Sequence, residues 1–268
     1  MLEYMVDFFV SWFIYPNILW TQLLIGLGLA IVFGAIWLAG YWPPLFKKHW
    51  LWAVLVSSAF LSLAAASFIQ IPLQALVGQV LGHFWSQETL MRWLLLAGIP
   101  QILLSGLVQE GSKLVPIVVY WWRKSRNIDP KLGLAIGAVA GAGLGVFEAV
   151  WVHNTIFVSG WSWEAVQTGG LVALAPFWER LFTVAFHIAA SALAGYGLAK
   201  GWGWQFYLLA SFLHGFLNYS VVALRSGLAT AIQLEIFVAV WALLVTAGVL
   251  WLRWRKPVVI AEDISGVE

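Results

Sequence analysis

Seven apolar runs, each long enough to cross a bilayer as a helix, decide what this chain can fold into. They lie at about residues 17–41, 51–77, 93–122, 132–153, 171–199, 204–224 and 231–252, and about 20 apolar residues suffice for one crossing. Inside hydrocarbon every backbone N–H and C=O must find a partner within the protein, so continuous apolar runs of this length span as helices. The expected fold is all-α: a polytopic membrane bundle of about seven transmembrane helices, eight if the N-terminal segment adds one. Composition agrees, because 62% of the 268 residues are hydrophobic and only 10% are charged, against about 45–50% and 25% in a soluble domain. There is no cysteine, which excludes disulfides, thiolate metal sites and a cysteine nucleophile. A net charge of +2 is too small to suggest a nucleic-acid partner. The lipid bilayer is the surrounding these residues are built for.

The runs also divide the chain. Residues 1–16 are expected to form an interfacial segment. Glu3 and Asp7 there are the reverse of the basic n-region of a cleavable signal. Residues 17–256 are expected to form a single transmembrane domain, and residues 257–268 a disordered cytoplasmic tail. Lys47, Lys48, Arg123, Lys124, Arg126, Lys131, Lys200, Arg253, Arg255 and Lys256 all fall on one side if the seven spans alternate. The positive-inside rule then puts the N-terminus outside and the C-terminus in the cytoplasm. Pro72, Pro100, Pro116 and Pro176 are the expected kinks. Gly133, Gly137, Gly141 and Gly145 recur every four residues on one face of the fourth span, a small-residue stripe that lets helices approach closely.

Against this apolar background seven ionisable residues stand out: Glu110, Lys113, Glu148, Glu179, Arg180, His187 and His214. A charge at membrane depth costs about 2.5–3.5 kcal/mol even on insertion scales, so such groups usually face a cavity or a partner. With a rise of 1.5 Å per residue, Glu110 and His187 lie roughly 18 Å from the cytoplasmic ends of their spans and His214 roughly 15 Å. Asn218 and Glu148 come out at roughly 21–24 Å. Four helices thus put carboxylates, imidazoles and an amide into one central slab. Glu179 and Arg180 are expected nearer the external side, paired with each other or through Arg180 with Glu148. Lys113, one turn from Glu110, is expected to neutralise it. Asn218, one turn after His214, either orients that imidazole, donates to an oxyanion or ties helices together.

The chemistry open to this set is activation of water. A carboxylate in an apolar pocket is a competent general base, and a neutral histidine either shares that role or holds a metal through one ring nitrogen. Two histidines with a carboxylate match the ligand set of a catalytic zinc site; metal-free hydrolysis by the carboxylates is the other possibility. No HExxH pair and no GxSxG elbow is present, which excludes a zincin site and leaves a serine mechanism unsupported.

Four segments carry a family resemblance: Gln109-Glu110-Gly111-Ser112-Lys113, Gly143-Leu144-Gly145-Val146-Phe147-Glu148, Glu179-Arg180 with the later His187, and His214-Gly215-Phe216-Leu217-Asn218. In order and spacing they resemble the PrsW and YhfC intramembrane proteases, within the wider group of CAAX-protease and bacteriocin-processing enzymes. The resemblance spans about residues 101–224, with a protease-like core at about 93–224. It implies hydrolysis of peptide bonds in a membrane-anchored protein or peptide substrate, at a multi-pass site in a bacterial plasma membrane. By carry-over Glu110 is the base that activates water, and Glu148 and His187 assist it. His214 and Asn218 hold the site and stabilise the oxyanion, and Lys113, Glu179 and Arg180 support it. The metal ligands, if zinc is used, are His187, His214 and Glu148. The family motif usually has two adjacent glutamates, and here the first is Gln109. That departure keeps a second reading open, a catalytically inactive scaffold that recruits substrates. A proton-coupled transporter is the third.

Overall fold

The computed structural model describes residues 10–11, 15 and 17–255. Most of the expected N-terminal interfacial segment, Lys256 and the expected cytoplasmic tail lie outside them. The described residues form helices α1 (Trp20–Ala39), α2 (Trp50–Ala65), a π-helical turn (Ala66–Gln70), α3 (Ile71–Phe84), α4 (Gln87–Arg92), α5 (Leu94–Ala97), α6 (Ile99–Arg123), α7 (Pro130–Val158), α8 (Trp163–Gly169), a 3-10 turn (Gly170–Leu174), α9 (Ala175–Ala199), α10 (Gly203–Arg225) and α11 (Ala231–Trp254). No strand occurs among them. Seven helical segments are long and apolar enough to cross a membrane, one of them joining α2 and α3 into a single rod, Trp50–Phe84. The protein is an all-α polytopic membrane protein.

Local chemistry explains several boundaries. Asp129 accepts a hydrogen bond from the Leu132 backbone N–H at 2.9 Å, and Pro130 follows at the first helical position. This cap answers an N–H that has no partner within the helix. Thr230 and Gln233 form a reciprocal capping box at the start of α11. Three of the four prolines expected to kink helices stand in first turns instead. Pro100 sits in the first turn of α6 and Pro176 in the first turn of α9, where the missing N–H costs nothing. Pro116 lies inside α6. Pro72 opens α3, directly after the π turn.

The bundle has a centre and a shell. In α7 and in the span ending with α9, 89% of the most apolar window is buried, against 22–39% in the other five spans. α7 and α9 pack along each other, α1 and α2 cover α7, α10 and α11 cover α9, and α6 lies against α2 and α10. The glycine stripe makes the central contact possible. A Cβ at Gly141 would stand 2.2 Å from the His187 carbonyl oxygen, well inside van der Waals contact, so only glycine admits α9 there. Gly106 does the same for the shell: a Cβ there would stand 2.2 Å from the Ser211 carbonyl, and this approach draws α10 onto α6. Both close contacts lie within one turn of the polar layer.

Candidate active site

α6 presents Glu110 and Lys113 on one face, three residues apart, and their side chains meet: Lys113 Nζ donates to Glu110 Oε1 at 2.5 Å. The same oxygen lies 2.7 Å from His214 Nδ1 on α10. Lys113 Nζ also lies 3.2 Å from His187 Nδ1 on α9. A lysine ammonium can only donate, so His187 Nδ1 is an acceptor there. Its other nitrogen, Nε2, then donates to Glu148 Oε2 on α7 at 2.7 Å. Glu110, being a carboxylate, accepts from His214 Nδ1, which leaves His214 Nε2 with its lone pair. The two imidazoles stand with centroids 5.1 Å apart, and Phe186 packs edge-on against His214.

Arg180 extends the network outward. Its Nη2 donates to Glu179, and its Nη1 lies 3.7 Å from Glu148 Oε1. The Glu179–Arg180 pair, expected nearer the external side, is therefore joined to the central layer through Glu148, so both pairings left open by the sequence occur together. Buried ions survive in apolar surroundings only when paired. Glu110 with Lys113 and Glu148 with Arg180 meet that requirement on opposite sides of His187.

The remaining candidates have other partners. Asn218 donates to Ser105 Oγ at 2.9 Å and so ties α10 to α6. His153, at the edge of its span in the sequence, is fully buried, with Nδ1 2.9 Å from the Gly26 carbonyl. Gln109 points away from Glu110, and its Nε2 donates to Gln70 Oε1 at 3.2 Å. The motif's first position thus lies outside the Glu110–His187–His214 cluster. Sequence reasoning missed Gln70 and its neighbours, because a search for charges passes over uncharged amides. Glutamines inside apolar runs were the pattern that would have found them.

Glu110, His187 and His214, all buried, bring one donor atom each to within 4.8 Å of one another. Glu148 stands on the far side of His187, so the trio that converges contains Glu110 where Glu148 was expected. Two imidazoles and a carboxylate are the ligand set of catalytic zinc, and Glu110 Oε2 is buried with no hydrogen-bond partner among the described residues. The residues fit a metal. Lys113 holds the lone pairs of Glu110 Oε1 and His187 Nδ1, so coordination through that nitrogen requires the ammonium to withdraw.

The model of the PrsW family intramembrane metalloproteases matches residues 47–247, three quarters of the chain. The chain belongs to the PrsW family. No curated protein and no solved structure matches it. The matched region holds every residue of the cluster. PrsW membership makes this a membrane protease by family, with a lipid environment and substrates within it, and the buried Glu110–His187–His214 group could bind the metal the family description implies.

Proposed function

We propose that the chain hydrolyses peptide bonds of membrane-anchored proteins or peptides, with Glu110, Glu148, His187 and His214 as its site. What supports the reading most is the convergence of these side chains from four helices through bonds of 2.5–3.2 Å, inside the region matched by the family. Glu110, His187 and His214 would hold a zinc ion, which supplies Lewis acidity toward a carbonyl and acidifies water. Glu110 is the natural ligand because its carboxylate is sealed. Glu148 is the natural base because it is the carboxylate with an open flank: 26% of its side-chain surface is exposed, against 0% for Glu110. This exchanges the roles that the motif order suggests. Hydrolysis adds water across the C–N bond, so Glu148 takes a proton from water and returns it to the leaving nitrogen. His187 keeps the Glu148 carboxylate in place through Nε2–H, and Arg180 holds its second oxygen. Asn218 keeps the helix of His214 against α6.

One observation favours a metal-free form of the same reaction: the Lys113 ammonium already neutralises Glu110 and holds His187 Nδ1. Gln109, lying outside the cluster, removes no carboxylate from it, which weakens the reading as an inactive scaffold. The basic loops favour an external N-terminus and a cytoplasmic C-terminus, in a bacterial plasma membrane. The kinship with YhfC and the CAAX-processing enzymes belongs to the same reading. Elemental analysis of the purified protein tests the ligand assignment. About one zinc per chain should be lost in His187→Ala and in His214→Ala and kept in Glu148→Gln. Zinc retained in both histidine variants would sink the assignment. Full hydrolysis of a transmembrane peptide by zinc-free wild type would establish the metal-free form.

A further inference from the structure

The open flank of Glu148 is a cavity of about 220 Å³, with Ser62, Gln70, Gln109, Phe147, Glu148 and Trp151 in its wall. It lies between α2, α6 and α7, at the only π-helical turn among the described residues, Ala66–Gln70. Such turns are rare and tend to sit at functional sites. Two carboxamides, Gln70 and Gln109, face each other there across two spans. They head a one-way relay: Gln109 Nε2 donates to Gln70 Oε1, Gln70 Nε2 to Gln74 Oε1 at 3.4 Å, and Gln74 Nε2 to the Gln101 carbonyl at 2.8 Å. Each carboxamide has two N–H donors and a carbonyl with two lone pairs, so this relay uses only part of its capacity. Gln109 Oε1, at the head, takes no part in the relay.

A peptide bond in a transmembrane helix spends its N–H and C=O on its own helix. To reach a hydrolytic site it must unwind, and its freed polar groups then need partners that the surrounding hydrocarbon cannot supply. A carboxamide offers the matching donor and acceptor in one group. We propose that this cavity is a backbone-binding subsite, in which Gln70 and Gln109 hold an unwound stretch of a membrane-spanning substrate beside Glu148. The proposal rests on the hydrolytic reading of the site and adds the place where the substrate backbone lies. Gln70 and Gln109 act as binding residues. The competing account is that the glutamines only glue two helices together, and then Gln74, in the same relay but outside the cavity wall, counts as much as they do.

The test uses proteoliposomes and two synthetic Leu-rich transmembrane peptides with a photoreactive group at the centre, one interrupted by Gly-Pro and one continuous. The interrupted peptide should be captured at the cavity on α6 and α7, and the continuous one poorly. Gln70→Leu and Gln109→Leu should each lower capture and raise KM for the interrupted peptide about three- to tenfold, the worth of one hydrogen bond. Gln74→Leu should leave both unchanged. Gln109→Asn, which keeps the amide and shortens its reach, should lose capture like Gln109→Leu and covers the case in which the leucine variant does not fold. Equal losses in Gln74→Leu, or capture indifferent to Gln70 and Gln109, would overturn the subsite. Capture as described without cleavage by wild type would instead sink the hydrolytic reading and leave the subsite standing.

Discussion

Glu110 and Glu148 are both carboxylates at membrane depth, and their surroundings are the reverse of what their helices suggest. α7, which carries Glu148, is the most enclosed span of the bundle together with that of α9, whereas α6, which carries Glu110, leaves much of its surface uncovered. Yet Glu110 is sealed and Glu148 is partly open. How deeply a helix is buried therefore does not set how accessible its side chains are. Glu110 is closed off by Lys113 on its own helix and by His214, which the close approach of α10 at Gly106 brings in. Glu148 is open because a cavity at the π turn lies beside it. In the proposed reaction Glu110 holds a metal in place and Glu148 meets the arriving water.

That contrast can be broken by experiment. The largest effect is expected from Lys113→Met, which strands a charge in a fully buried site; removing one partner of such a pair costs about 3–5 kcal/mol. Arg180→Met leaves Glu148 with its exposed flank and its bond to His187, so less than half that loss is expected. Thermal unfolding in detergent measures both, and equal losses would mean that the two carboxylates are not differently housed. Next comes Gly141→Ala, where the added methyl group meets backbone. Overpacking of this kind costs about 1–3 kcal/mol and should disturb His187, whose carbonyl is the atom struck. Gly28→Ala, on a face of α1 with nothing within 4 Å, should be neutral or slightly stabilising. The same melting experiment separates them, and similar changes would undo the distinction between centre and shell. The smallest loss belongs to Asn218→Ala, which gives up one interhelical hydrogen bond worth about 0.6 kcal/mol in a membrane. A drop comparable to that of Lys113→Met would mean that Asn218 belongs to the cluster itself.

The spans were legible in the sequence because a crossing needs a long apolar run and little else. The central layer was legible for the opposite reason, since a charge in such a run has few bland explanations. The pairings were not. Depth counting put Glu110, Glu148, His187 and His214 into one slab, but which oxygen meets which imidazole depends on how helices rotate, and no span encodes that alone. Arg180 illustrates the limit: the sequence leaves open whether it pairs with Glu179 or with Glu148, and only the docking of α9 on α7 shows that it reaches both. Proline signals kink and helix start alike, which is why Pro72, Pro100 and Pro176 were misplaced. The glutamine relay went unseen because an amide is neither apolar nor charged.

The proposed reaction depends on Glu148 as the open carboxylate that works on water beside Glu110, His187 and His214. The most direct measurement is the initial rate at which the protein in proteoliposomes cleaves a transmembrane peptide with an unwound centre. Wild type, Glu148→Gln and Glu110→Gln are compared at equal folded fraction. Loss of a general base should slow Glu148→Gln by about 10²–10⁴-fold while its zinc content stays at the wild-type level, and Glu110→Gln should lose zinc and activity together. Cleavage by Glu148→Gln at the wild-type rate would contradict it.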